Sequence, residues 1–510
     1  MSIFWKPSGN PGQTKESGHA IKVLQPDTTQ YKNAAEHSIR GSCIELSMTL
    51  KRLYSLDGGD SADTALIYTY PCPFPVAKSL PFSYKYAYQG PRIVKETPDT
   101  VARVALSCGP QCYGFIAGSM DLHLFALDKS THEIADDEAD GKPSTPSHRI
   151  DTERVYRSLT VSQRPRLHFV EDAQALATVD KKKAVLIPLD FLDDQNPLVD
   201  QEAHWNLLSK RTLALSDLPS PATQVVDSVL PGDQIADETL LSTEIERMLA
   251  HLSSHPLPYV VKLPMATSGH GVWMIKQEDQ RQQCVTELRE ALPSMFQITL
   301  AAETAAKERP VIPRLSLLIQ NLVSGPADAV SVFVTKAGRA VYIGTSDQVY
   351  DDAERWLGGY MDYTRVEAKE NRDHDLIQQV ADYVYVRGYY GPLGFDVMTD
   401  DDGRQVVIDL NVRQTGSYVL GPMKKHFYEQ RKLPLAYVIC PIAVQGDRDD
   451  FEQMFAEELE SGSVVIAAWC RARAGPGGLC VWSVCGVLLG AKDQAQLQAL
   501  IAKVMSLKIR

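Results

Sequence analysis

Short apolar runs separated by turn residues fill the first part of the chain. Ala65–Tyr70, Val101–Leu106, Leu122–Leu127, Arg166–Val170 and Ala184–Leu189 each predict a strand. A helical period follows at Gln201–Leu215. It recurs at Glu238–Leu252, where Leu241, Ile245, Met248, Leu249 and Leu252 fall on one face. The segment Pro258–Lys276 predicts strand, small-residue loop, strand. A helix is predicted at about 279–292, ahead of a Thr/Ala/Glu-rich connector. Leu315–Val323 is apolar without alternation, the mark of a buried strand. Strands at 330–335 and 340–344, a long loop over 345–373 and a helix near 374–387 come next. The tail predicts a helix at 449–459, strands at 463–469 and 479–489, and a last helix carrying Leu497, Leu500, Ile501 and Val504.

The stretch Gly391–Arg413 is the most informative. Asp402-Gly403 between two apolar runs predicts a hairpin, because both turn residues tolerate positive φ. With these as a two-residue loop, Asp401 pairs with Arg404, and counting back sets Asp396 opposite Asp409. Alternation then places Asp409, Asn411 and Arg413 on one face and Ile408, Leu410 and Val412 on the other. Two carboxylates facing each other at about 5 Å repel. A hard dication removes that cost, since magnesium takes carboxylate and amide oxygens together with phosphate. An ordinary solvent-facing hairpin with acids on its surface is the alternative.

Composition narrows the field. The chain has 510 residues, 44% of them hydrophobic, which is ordinary globular content with room for two to four domains. A net charge of −12 argues against a dedicated nucleic-acid binder but leaves anionic nucleotides open. The nine cysteines include no CxxC pair, which fits reduced thiols in a cytoplasmic protein. Met1–Gly9 has no apolar core of a signal peptide, and no run of about 18 apolar residues could span a membrane. Residues 1–40 are rich in Gly, Pro, Lys, Gln and Ser and are expected to be loosely ordered, as is the polar loop 136–146.

A second constellation lies in the loop Thr267-Ser268-Gly269-His270-Gly271, with Lys262 on the strand leading in. Small residues let backbone N–H groups approach phosphate, and a Lys adds a point charge. A plain tight turn would use the same glycines. The Ser-His pairs at 254–255 and 268–270 lack an acidic orienter and a nucleophile elbow, which argues against a hydrolase.

Taken together, the Lys before a glycine loop, a buried strand with a polar end, and a terminal Asp-x-Asn-x-Arg on a hairpin resemble the ATP-grasp superfamily over residues 180–510. The resemblance implies an α/β architecture with two α/β subdomains clamping ATP, a lid over 206–319 and a metal-site subdomain over 320–510. An N-terminal α/β domain over 41–205 would precede them. It implies nucleotide contacts from Lys210, just ahead of Ser220-Pro-Ala-Thr223, and from Lys262. The loop Thr267, Ser268, Gly269, His270 and Gly271 becomes a mobile lid. Gln320, Asn321, Leu322 and Val323 become the adenine hinge, with an amide at Gln320 where the family usually has an acid. Asp328 becomes the ribose contact. Asp396, Asp409 and Asn411 become ligands of one or two Mg²⁺ ions, with Mn²⁺ as a substitute, and Arg413 steadies the transferred phosphate. Asp347-Gln348 and Trp356–Gly359, in the long loop, line the acceptor pocket or simply pack. The implied reaction joins a small-molecule carboxylic acid to an amine through an acyl phosphate, releasing ADP and phosphate, with neither nucleic acid nor membrane as partner. Homo-oligomerisation is compatible with it. Carboxylate–thiol ligation, phosphoryl transfer and a non-catalytic nucleotide binder are the alternatives.

Overall fold

The computed structural model describes residues 43–68, 85–86, 89, 99–125, 147–170, 173–266, 271–305, 315–350, 356–400, 402–474 and 480–509. The expected loose N-terminus at 1–40, the loop at 136–146 and the lid residues Thr267, Ser268, Gly269 and His270 lie outside them.

The first unit contains α1 (Leu50–Tyr54), β1 (Thr64–Ile67), α2 (Asp99–Gly114), β2 (Asp121–Phe125), α3 (Ser147–Arg157), β3 (Arg166–Val170) and β4 (Lys182–Val185). Its four strands are parallel, in the order β3-β2-β1-β4. β1 and β2 are buried at every residue, as strands covered on both faces should be. The expected strand at Val101–Leu106 is a correction, for those residues lie inside α2. Val101, Val104, Cys108 and Cys112 recur at helical spacing, and Cys108 packs with Ala468, Cys470 and Val484 at the far end of the chain.

The second unit runs through α4 (Gln201–Leu208), α5 (Lys210–Ala214), β5 (Thr223–Asp227), α6 (Glu238–Ser254), β6 (Tyr259–Lys262), β7 (Val272–Ile275), α7 (Glu278–Ala305) and β8 (Ser316–Asn321). The strands form an antiparallel sheet ordered β5-β8-β6-β7. Leu241, Ile245, Met248 and Leu252 of α6 and Leu288, Leu292 and Phe296 of α7 pack on Tyr259, Val261, Leu317 and Ile319. The Thr/Ala/Glu-rich connector continues α7 instead of ending it. The single helix expected over 201–215 breaks at Ser209, whose ψ of 124° is extended. The break restarts the chain as α5 and frees the Lys210 N–H to donate to the Pro264 carbonyl at 2.9 Å. This anchors Lys210 beside the end of β6.

The third unit is a sheet of eight antiparallel strands: β9 (Ala327–Val334), β10 (Ala340–Tyr350), β11 (Trp356–Asp362), β12 (Gly391–Thr399), β13 (Gln405–Asn411), β14 (Leu435–Gln445), β15 (Val464–Ala474) and β16 (Cys480–Ala491). Their order is β13-β12-β9-β10-β11-β14-β16-β15. The helices are α8 (Val366–Tyr385), α9 (Arg448–Met454), α10 (Ala456–Ser461) and α11 (Gln494–Met505). The expected loop at 345–373 is instead the end of β10, all of β11 and the start of α8, and β14 went unforeseen. Alternation sorts this sheet's faces. Val330, Val332, Phe395, Val397, Val407, Leu410 and Val412 pack under Leu376, Ile377 and Val380 of α8, leaving the intervening residues for the opposite face. At the other end, β14–β16 share one core with the parallel sheet. No described helix is long and apolar enough to cross a membrane.

Candidate functional site

The hairpin β12–β13 brings Asp396 opposite Asp409, as expected, but by another route. Asp400 exchanges a hydrogen bond with Arg404, its N–H donating to the Arg404 carbonyl at 2.9 Å, and Thr399 pairs with Gln405. The turn is therefore longer than the two residues expected. A bulge between Asp396 and Val397 then restores the offset: Val397 faces Val407, Asp396 faces Asp409, and Ile408 has no opposite number. The bulge also shifts the alternation. Val407, not Ile408, joins Leu410 and Val412 in the core, which corrects the expected face of Ile408.

The Ile408 carbonyl accepts the Lys262 ammonium at 2.6 Å. Lys262 arrives from β6 of the four-stranded antiparallel sheet, and β13 is the edge strand of the large sheet, so its free edge can receive it. Pro219 covers the next rung, its carbonyl accepting the Val407 N–H at 2.7 Å. Beside it Lys210 donates to Asp409 Oδ1 at 2.5 Å. Arg413 Nη2 donates to Asn411 Oδ1 at 3.1 Å. Asp396 accepts from Gln348 Nε2 at 2.8 Å and, at 3.5 Å, from Asn411 Nδ2.

Three cationic groups thus face two carboxylates, an excess of one positive charge in a largely buried site. Burial drives the Lys262 ammonium down to about 8, with Asp409 opposing and Lys210 adding to the fall. Burial pushes the Asp396 carboxyl up, and the Asp409 charge opposite pushes it further. Burial also works against the Asp409 carboxylate, but Lys210 and Lys262 outweigh it and hold the group below the usual range. Asp409 therefore has a lysine at contact, while Asp396 is hydrogen-bonded by amides and feels the lysines only at longer range.

The remaining expected residues divide. Gly271, the one described member of the small-residue loop, has φ +78°, and its carbonyl accepts the Leu263 N–H at 2.9 Å. A Cβ there would lie 2.9 Å from Ala266 Cβ, so the turn itself demands glycine. Gln320 is buried and donates to Thr223 Oγ1 at 3.1 Å. The Asn321 N–H is engaged with the Ala222 carbonyl at 2.9 Å, while Leu322 and Val323 follow in the link between the four-stranded antiparallel sheet and the large sheet. Asp328 stands opposite Val397 on the α8-covered face, where it accepts from Lys369 at 3.0 Å and Arg372 at 2.7 Å. Its neighbour Ala329, opposite Asp396, holds the site-facing position. Asp347 shares the far face and pairs with Lys369, whereas Gln348 reaches Asp396. The Ile408 carbonyl was not foreseen, because a bulge leaves no mark in apolar alternation.

No family model matches the chain. One similar structure is a biotin carboxylase complex with β,γ-ATP from Campylobacter jejuni, 10% identical with a TM-score of 0.44, covering 88% of this chain and 91% of that chain. Another is an L-amino acid ligase from Bacillus licheniformis, 12% identical with a TM-score of 0.44, covering 88% and 97%. A third is a phosphoribosylamine–glycine ligase from Thermotoga maritima, 11% identical with a TM-score of 0.45, covering 87% and 96%.

The donor set suits a hard dication. Among the described residues no three His, Cys, Asp or Glu gather at one point, so a cation needing a full protein cage has none here. Magnesium needs only one or two carboxylates when phosphate oxygens complete its shell. Asp396, which meets amides and no cation at hydrogen-bond distance, is the group such an ion would compensate.

Proposed function

We propose that this chain is an ATP-dependent ligase joining a small-molecule carboxylate to an amine, with the β12–β13 hairpin and the two lysines as its phosphate and metal site. One observation carries the reading: Lys210 of α5 and Lys262 of β6 converge on Asp409 and Ile408 of the large sheet. A lysine ammonium on a carbonyl, in a site with surplus positive charge, is poised to exchange that acceptor for a phosphate oxygen.

Asp396, Asp409 and Asn411 would hold Mg²⁺, which when bound neutralises charge on the β- and γ-phosphates. Lys262 and Lys210 grip phosphate oxygens from the lid side. Arg413, fixed by Asn411 and by the Gln414 carbonyl at 3.3 Å, faces the transferred phosphoryl group. The link at Leu322 and Val323 offers backbone groups to the adenine edge. The acceptor carboxylate attacks the γ-phosphorus, ADP leaves, and the amine then displaces phosphate from the acyl phosphate to give the amide.

Mutation tests the residue roles. Lys262→Ala removes a charged phosphate contact, typically about 1.5–3 kcal/mol, so turnover should fall at least about tenfold. Asp409→Asn should abolish turnover while the protein still unfolds cooperatively. Full activity in Asp409→Asn would remove the metal role from the hairpin.

A further inference from the structure

β13 ends at Asn411, which pairs with Gly394 of β12. Arg413 stands just past the sheet, and its N–H turns back to the Asn411 carbonyl at 2.6 Å. Two buried side chains from outside the hairpin ladder take hold of the chain here, one on each side of Arg413. His204 of α4 donates from Nε2 to the Val412 carbonyl at 2.6 Å. Gln414 accepts from the Tyr68 hydroxyl at 3.2 Å through its amide oxygen and donates from Nε2 to the Tyr113 carbonyl at 3.0 Å. Tyr68 directly follows β1 and Tyr113 lies in α2, so the second anchor belongs to the first unit.

Each anchor has a defined orientation. A carbonyl only accepts, so His204 Nε2 carries the proton, and the Tyr113 carbonyl fixes which end of the Gln414 amide points to it. Burial drives the His204 imidazole down to about 4 against the Val412 hydrogen bond, and the nearby Arg413 charge adds to the fall. The ring is therefore neutral, with its N–H given to Val412. His204 and Gln414 are each 2% exposed and Tyr68 3%, so removing one partner leaves a buried polar group unpaired. The Arg413 side chain is held more loosely, at 3.1 Å to Asn411 Oδ1 and 3.3 Å to the Gln414 carbonyl. Where the guanidinium points depends on where residues 412 and 414 are fixed.

We propose that His204 and Gln414 are positioning residues for Arg413, and that the first unit, through Tyr68 and Tyr113, helps set the guanidinium against the transferred phosphoryl group. A misplacement of about 1 Å at such a contact can cost on the order of a hundredfold in rate. The phosphoryl role rests on the ligase reading; the clamp on residues 412 and 414 does not.

Two measurements on the full chain separate the clamp from the reaction. The first is the rate at which phenylglyoxal modifies Arg413, read by peptide mass mapping with the exposed Arg404 as control. Gln414→Met and His204→Met keep bulk and lose the hydrogen bonds, and Tyr68→Phe loses one oxygen. Each should free the guanidinium and speed Arg413 modification severalfold, with Arg404 unchanged. The second is steady-state ADP release. In Gln414→Met and His204→Met kcat should fall roughly ten- to hundredfold while the KM for ATP stays within about twofold, because Arg413 acts on the phosphoryl group in transit. His204→Gln, which can still offer an N–H, should recover most of the rate lost in His204→Met. Thermal unfolding verifies that each variant is folded, and Tyr68→Phe, the smallest change, stands in where Gln414→Met does not fold. Arg413 modification at the wild-type rate in every variant overturns the proposal, as does a His204→Gln no better than His204→Met. Faster modification in a chain that forms no ADP with any acid and amine keeps the clamp and sinks the ligase reading. ADP release whose kcat ignores all three variants does the reverse.

Discussion

Ile408 shows what one residue contributes to this site. It is the extra residue of a bulge, and its carbonyl accepts the Lys262 ammonium. The Asp396–Asp409 pairing was legible in the sequence through two errors of equal size: a turn taken one residue short and a bulge not seen. Apolar alternation cannot register a bulge, because the displaced residue is as apolar as its neighbours. A second residue-scale consequence concerns His426, buried and bonded to the Gly462 carbonyl at 3.0 Å. Burial, aided by Arg431, drives its imidazole down to about 4 from an ordinary 6.5. The unfolded chain takes up that proton near the ordinary value, while the fold resists it until about 4. His426 therefore favours the fold fully above pH 6.5 and loses that contribution as pH falls towards 4. The stability difference between wild type and His426→Gln should shrink across this window by up to about 1.4 kcal/mol per pH unit, measured by urea unfolding. A difference that stays level with pH would mean the imidazole titrates normally.

At the scale of elements, the break at Ser209 matters most. Gln201–Leu215 has the spacing of one helix, and nothing in its pattern marks the extended residue that restarts the chain at Lys210. Only the tertiary contact, Lys210 N–H on the Pro264 carbonyl, accounts for it. The restart delivers the ammonium to Asp409, where it stands as counter-ion in the absence of other ligands. A dication arriving alone must displace it; a dication arriving with nucleotide phosphate gives the lysine a new acceptor. Lys210→Met should therefore strengthen Mn²⁺ binding to the nucleotide-free protein by roughly tenfold or more, and weaken nucleotide binding by a similar factor. Electron paramagnetic resonance titration of free Mn²⁺ reads the first and calorimetry the second. Weaker Mn²⁺ binding in the variant would contradict the counter-ion role. Asp328, which the resemblance offers as a ribose contact, lies inside β9, and strand alternation commits its side chain to the α8 face.

Across the whole molecule, the parallel N-terminal sheet and strands β14–β16 share one core. α3 meets the last strands there, and Arg448 donates to the Asp151 carbonyl at 3.0 Å while Arg154 pairs with Asp449 and Glu452. Sequence reading separated these regions because it sees only neighbours along the chain. A fragment spanning residues 43–205 is expected to lack a cooperative urea transition, for its helices would expose the face that packs on β15. A sharp transition in that fragment would show an independent domain.

The central claim is that the site cleaves the β–γ bond of ATP and joins an acid to an amine, and product analysis tests it most directly. The full chain is incubated with MgATP and a matrix of small-molecule carboxylic acids and amines, followed by ³¹P nuclear magnetic resonance and mass spectrometry. Lysines and a dication gathered on the terminal phosphates stabilise charge there, so the expected products are ADP, inorganic phosphate and the amide, formed only when acid and amine are both present. AMP with pyrophosphate, or ADP with a phosphorylated alcohol and no need for an acid, would contradict it.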